Sequence, residues 1–394
     1  MRPVRILLCL GCMLLPAQWA SAQSLVYMVS YGTTPASFRA RFPNGILGTT
    51  TDQRLEMLRR TLKNEIWSVS MADGKRTLLF SDEGMSNFEI TPAPESGNSL
   101  VAGGKAFLRG VERSWRGQPS PGAMETPMGI YEISLDGSKK LRREIDGKPN
   151  MGPLMLDQAG AKVGFDALDP ESNKYTMYVY SLPDWKILKS VDLSKSMDAH
   201  CPGCVVMTSG WLADGKLFFD IEPGDEDEDE ASTNQVPGNY IFSVDGADAG
   251  NIPKAAGRME LAGYERLPAF GARVIGQLAD GRFVFMDYGL KTNPRPKPPV
   301  EYEPFLLVTD REFKVLKQLQ IGRLRTSGYV LSANGKYVAY VEDRMTPNYR
   351  TERHVWTMNL ETGEMKEMFM TPPPNPPNSA EPNKTVVIVG WIEK

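Results

Sequence analysis

The chain has 394 residues, a formal net charge of −3 and 24 % charged residues, a composition that excludes wholesale disorder. Its 36 Gly and 30 Pro are about one residue in six, which points to many turns and so to many short strands. A chain of this length suggests two or three domains, although large β architectures also run as single units.

Residues 1–22 read as a secretory signal. Arg2 and Arg5 form a positive start, Ile6 to Pro16 is a short apolar run, and Ala20-Ser21-Ala22 supplies the small-x-small pattern for cleavage after Ala22. Acylation of Cys12 is a competing reading, but its apolar lead-in is short. Removal of the signal takes two arginines and no acid. The acidic remainder, 23–394, disfavours nucleic acid, whose binding rests on a basic footprint. No later run approaches the ~18 apolar residues of a membrane helix, so no transmembrane segment is expected. These features place the mature chain in the periplasm or outside the cell.

One pattern recurs about every 58 residues along the chain, the sequence signature of a repeat architecture. It is a strand ending in a small polar residue, then a turn and a second short strand. The copies are Glu65–Ser70 before Asp73-Gly74, Gly129–Ser134 before Asp136-Gly137, and Met177–Ser181 before Pro183-Asp184. They continue as Tyr240–Ser243 before Asp245-Gly246, Phe305–Thr309 before Asp310-Arg311, and His354–Asn359 before Thr362-Gly363. A second hairpin alternates with the first. It is clearest at Asp214-Gly215, Asp280-Gly281 and Asn334-Gly335, and weaker at Asp157–Gly160 and at Pro94–Asn98 before Leu100-Val101. Gly between apolar runs suits tight turns because it accepts positive φ without steric cost.

The two hairpins give four antiparallel strands per unit, and the units predict an all-β, six-bladed β-propeller forming one domain over 23–394. Val386–Trp391 and Leu25–Val29 supply the hairpin missing from the six-fold count, so a C-terminal strand is expected to join the N-terminal blade. The Pro-rich segment 371–384 is the expected closing crossover.

The stretch Ala333-Asn334-Gly335-Lys336-Tyr337-Val338-Ala339-Tyr340, followed by His354-Val355-Trp356-Thr357-Met358-Asn359 and Thr362-Gly363, resembles the TolB-like, WD-type repeat of bacterial propellers. The resemblance covers roughly 25–393, is clearest in the last three units, and leaves the subfamily open. This chain lacks the Pro before Asp-Gly and ends its strands in Ser, Thr or Asn. The resemblance implies an exported propeller that binds proteins or ligands, with no shared catalytic residue to carry over.

His200-Cys201-Pro202-Gly203-Cys204 holds both cysteines of the mature chain. A disulfide between Cys201 and Cys204 is expected from the exported setting. A redox pair and a zinc site remain the alternatives. The β-like run after Cys204 argues against a redox motif, and histidine is too scarce for zinc.

The connections between second and third strands, roughly 31–64, 103–127, 168–174, 221–238, 288–303 and 343–352, should emerge on one face. That face is the candidate binding surface for an envelope protein or a small ligand. Asp166, Asp220, Asp287 and Glu342 end four central strands there, as a partial acidic ring or as caps for the loops. Asp225 to Glu230 is a run of six acids, read as a solvated loop. Leu55, Leu58 and Leu62 suggest a short amphipathic helix over 52–64. Two histidines in the mature chain leave little material for a triad or a His-rich metal centre, so no catalytic residue, cofactor or metal is assigned. The expected function is a non-catalytic binding or scaffolding module. The competing reading is a carboxylate-dependent lyase or hydrolase acting on a sugar or peptide at the channel mouth.

Overall fold

The structure is a computed structural model. It describes residues 23–32, 34, 36, 39–40, 61–81, 88–91, 97–112, 129–138, 141–146, 151–169, 174–192, 204–213, 215, 217–223, 238–242, 255–258, 273–290, 302–322, 326–347, 351–372, 375, 379 and 381–393. The signal at 1–22, the acidic run 225–230 and Cys201 lie outside these residues, as do 373–374, 376–378 and 380 of the segment 371–384.

The fold is all-β, a propeller of four-stranded antiparallel blades. Among the described residues the strands fall into six sheets. The first contains β1 (Ser24–Gly32), β2 (Thr61–Ser70) and β3 (Arg76–Ser81). The second contains β4 (Phe88–Thr91), β5 (Val101–Ala102), β6 (Lys105–Glu112), β7 (Gly129–Ser134) and β8 (Leu141–Asp146). The third is β9 (Met155–Leu156), β10 (Lys162–Asp169), β11 (Lys174–Ser181) and β12 (Ile187–Asp192). The fourth is β13 (Cys204–Trp211), β14 (Leu217–Pro223), β15 (Gly238–Phe242) and β16 (Ala255–Arg258). The fifth is β17 (Arg273–Gln277), β18 (Phe283–Leu290), β19 (Tyr302–Thr309) and β20 (Val315–Gln320). The sixth is β21 (Thr326–Leu331), β22 (Tyr337–Met345), β23 (Thr351–Asn359) and β24 (Met365–Thr371). The last strand, β25 (Asn383–Ile392), returns to pair antiparallel with β1, from Ser24 opposite Ile392 to Gly32 opposite Asn383.

The described residues of all six copies of the first sequence pattern lie in the third strands of these sheets, and each of these strands pairs with the fourth. The turns are built as their residues require. Asp310 Oδ1 accepts the backbone N–H of Glu312 and Lys314 at 3.0 and 2.8 Å, and Asn359 Oδ1 accepts those of Glu361 and Thr362. Gly281 shows why the second hairpin needs glycine. Its φ is +91°, and an added Cβ would lie 2.3 Å from Arg311 Nε.

Central strands read as continuous apolar runs because both of their faces are covered. In β22, Val338 and Tyr340 pack toward the fifth sheet, while Ala339 and Val341 pack toward the first. In β1, Leu25 and Tyr27 pack on the sixth sheet, while Val26 and Met28 join a core shared with the second and third. In β18, Phe283 and Phe285 pack on Leu212 and Phe218 of the fourth sheet. The third and fourth sheets meet where Trp211 Nε1 donates to Met155 O at 3.3 Å.

Three sequence expectations need correction. Pro94–Asn98 is not the hairpin turn of the second sheet; the turn is Gly103-Gly104, both at positive φ, between β5 and β6. The predicted loop at 103–127 is partly strand, because β6 occupies Lys105–Glu112. The helix predicted over 52–64 cannot include its last turn. Thr61, Lys63 and Asn64 pair with Gly32, Tyr31 and Ser30 of β1, and these backbone bonds hold 61–64 extended; residues 51–60 lie outside the described set.

Candidate functional site

The four acids singled out in the sequence occupy corresponding second strands. Asp166 is in β10, Asp220 in β14, Asp287 in β18 and Glu342 in β22, at or just beyond the strand's midpoint. They do not end the strands as expected, because pairing with neighbouring strands carries each second strand on for three more residues. Asp166, Asp287 and Glu342 are 5 %, 3 % and 1 % exposed. They sit beneath the surface rather than on it. Asp220 pairs with Thr208 and Asn239, and its side chain lies outside the described set.

Two of these acids share one construction, in which the carboxylate lies against a glycine of the connection entering its sheet. A Cβ on Gly152 would lie 2.5 Å from Asp166 Oδ1, and one on Gly322 would lie 2.7 Å from Glu342 Oε1. Any side chain there would displace the acid. The Gly152 N–H also donates to Asp166 O at 2.7 Å, fastening the connection ahead of β9 to β10. Glu342 meets the Arg344 guanidinium at 2.8 Å, and that guanidinium lies 5.4 Å from the centre of the Trp356 ring. Opposite Glu342, His354 Nδ1 lies 2.8 Å from Glu367 Oε1.

Asp166 has less help. Its Oδ1 is buried without a hydrogen-bond partner. Burial pushes its pKa up to about 6; its backbone contacts and the charge of Arg109 pull the other way and lose. Arg109 lies in β6, and its Nη1 donates to Met151 O at 2.6 Å, across the junction between the second and third sheets. Arg109 was missed in the sequence. It stands five residues after Gly104, as Asp220 stands five after Gly215. The four acids stand five to seven residues after their turn glycines, and a charged residue within that range after Gly104 was the available signal.

The first sheet has a buried acid on its third strand. Glu65 accepts Tyr31 Oη at 2.7 Å, Trp67 Nε1 at 3.0 Å and Lys63 Nζ at 2.5 Å. Burial alone would raise its pKa, but these three donors together bring it below the ordinary carboxylate value.

The opposite end of the sheets, where first strands turn into second strands, holds a cavity of about 290 Å³ that the sequence did not suggest. Its floor is a segment that leaves the edge of the second sheet. Residues 97–100 lie between β4 and β5, which both pair with β6, and they cross toward other sheets. Gly97 O accepts the N–H of Leu331 in β21 at 2.8 Å. A Cβ on Gly97 would lie 1.9 Å from Ile275 O of β17. The Asn98 side chain reaches the glycines of β13 and β17, Gly210 and Gly276, and its Nδ2 is buried without a hydrogen-bond partner. Ser99 Oγ accepts the N–H of Trp391 in β25 at 3.1 Å. Gly97, Asn98 and Ser99 thus touch first strands from four sheets.

Cys204 opens β13, opposite Pro223. Its side chain and all of Cys201 lie outside the described residues, so the expected disulfide falls there too. Among the described residues no helix is long and apolar enough to cross a membrane, and no group of three His, Cys, Asp or Glu could hold a metal ion.

No protein-family model matches the chain, and no curated protein does. Solved structures similar to it include TolB from Acinetobacter baumannii, 12 % identical over 92 % of this chain and 66 % of that one, with a TM-score of 0.43. A prolyl endopeptidase is 13 % identical over 80 % of this chain and 47 % of that one, with a TM-score of 0.43. An oligogalacturonate lyase from Vibrio parahaemolyticus is 11 % identical over 73 % of each chain, with a TM-score of 0.39. The chain thus spans about two thirds of that TolB and about half of the endopeptidase.

Proposed function

We propose that the chain is an exported, closed six-bladed propeller that acts in the bacterial envelope as a non-catalytic module, binding a protein or ligand on the face where second strands end. Export rests on the pattern of residues 1–22. Closure is supported by the pairing of β25 with β1 and by the run of shared cores from sheet to sheet. The observation that carries the binding face is the seating of two buried acids, Asp166 and Glu342, against the connections that enter their sheets. Taking a carboxylate out of water costs several kcal/mol unless it is compensated. Asp166 and Glu342 meet that cost where they seat the connections running into the third and sixth sheets. A rigid base of this kind is what recognition loops need. The test replaces 224–237 and 291–301 with short Gly-Ser linkers and repeats a pull-down from periplasmic extract. Loss of a partner held by the parent protein supports the reading, and unchanged recovery overturns the choice of face.

A carboxylate-dependent lyase or hydrolase remains the second reading, favoured by Asp166. A carboxyl group titrating near pH 6 beside a guanidinium is suited to proton transfer. Turnover on a panel of oligosaccharides and peptides that disappears in Asp166→Asn would select it over the binding reading.

A further inference from the structure

We propose that the cavity at the turn end of the sheets is a binding site for a small organic amine, separate from the loop face and independent of the function proposed above. Its volume of about 290 Å³ lies at the lower edge of small-ligand cavities and equals the space of about ten waters. Its walls come from the tight turns of several sheets, held by backbone pairing, so the site is formed before any ligand arrives.

The lining sets the chemistry. Among the described residues its charged side chains are Asp157 and Glu393, and no described Lys or Arg lines it. Asp157 Oδ1 accepts the backbone N–H of Ala161 and Lys162 at 2.7 and 2.9 Å. Glu393 Oε1 accepts Gln23 Nε2 at 2.9 Å and the Asn334 N–H at 3.0 Å. These bonds fix each carboxylate through one oxygen and bring no formal positive charge to it. Charge of one sign in a walled recess attracts the opposite sign and repels anions. An ammonium group has three donors and no acceptor, which matches carboxylate oxygens. Asn98 and Gln158 also belong to the lining, as do Leu156, Leu278 and Leu331, against which a short methylene chain can lie.

Isothermal titration with 1,4-diaminobutane tests the proposal, with 1,4-butanediol as the uncharged analogue and succinate as the anionic one. The diamine is expected to bind saturably, and the other two at least about tenfold more weakly, a difference of about 1.4 kcal/mol. Two variants locate the site. Glu393→Gln keeps the shape and an acceptor but removes a charge. Ala159→Lys adds a cation among the lining residues, at an exposed turn position where no buried contact is lost. Each should weaken the diamine at least about fivefold, with an unchanged thermal midpoint. Should Glu393→Gln fail to fold, Ala159→Lys carries the test alone. The proposal is overturned if the diamine does not bind, if butanediol binds as well, or if Ala159→Lys leaves binding unchanged. That last result would move the amine to another acidic surface, such as Asp225 to Glu230.

Discussion

Replacing Asp166 by Asn should make the protein less sensitive to pH. The carboxyl of Asp166 is held at about 6 by burial, against 3.8 for an ordinary Asp. Because the folded pKa is raised, the folded state binds the proton more tightly than the unfolded chain. Stability is then greatest below the unfolded value, falls as pH rises from about 4 to about 6, and is level above that. The shift of about two units corresponds to about 3 kcal/mol across the whole window, of which about 2 kcal/mol lie between pH 7.5 and pH 4.5. An amide at this position carries no charge to desolvate. Its own unmet hydrogen bonds cost the same at every pH and cancel in the comparison. The assay is urea unfolding of the parent and Asp166→Asn at both pH values. The difference between the two proteins should change by about 2 kcal/mol, in the direction that favours Asn at pH 7.5. For a unit of this size, about 3 kcal/mol corresponds to a Tm change on the order of 3–6 °C. A difference that stays constant to within about 0.5 kcal/mol would refute the reasoning, since Asp166 would then be ionised in the fold at no cost.

Other substitutions probe the remaining contacts. Gly97→Ala adds a Cβ 1.9 Å from Ile275 O at a φ of +62°, so it should cost about 3 kcal/mol or more by thermal unfolding; a loss under 1 kcal/mol would show that residues 97–100 do not cross as described. Trp391→Phe removes the indole N–H that Val330 O accepts at 3.1 Å and leaves a buried acceptor unmet, so a loss of about 1–3 kcal/mol is expected in denaturant melts. Arg282→Ala breaks exposed contacts to Asp280 at 2.8 Å and Glu361 at 2.7 Å, and it should cost under about 1 kcal/mol, less at 1 M salt. Its contribution should also fade on acidification, because the hydrogen bond from Arg282 lowers the Glu361 pKa and is lost as pH drops through that lowered value.

The strand pattern was legible because each blade repeats local signals. Asp73-Gly74, Asp280-Gly281 and Asn334-Gly335 are turns whose residues impose their geometry, and runs such as Tyr337–Val341 announce strands covered on both faces. Chain order alone placed Leu25–Val29 and Val386–Trp391 as strand partners, and they pair. The same reading failed where a local signal was outweighed. Pro94–Asn98 resembles a turn in composition, but Gly97 to Leu100 are held by residues more than a hundred positions away, among them Gly210, Ile275, Leu331 and Trp391. Leu55, Leu58 and Leu62 have helical spacing, yet pairing with β1 holds Leu62 in a strand.

The sequence by itself determined the repeated hairpins, the all-β class and the positions of the four acids on corresponding strands, because periodicity and turn chemistry act over a few residues. Only the tertiary structure decided that Asp166, Asp287 and Glu342 are buried rather than presented to solvent. It alone set Arg109 beside Asp166, and it alone gathered Asn98, Asp157, Gln277 and Glu393 around one cavity. Burial and convergence depend on which sheets pack together, and that arrangement is a property of long-range contacts that no short stretch of the chain records.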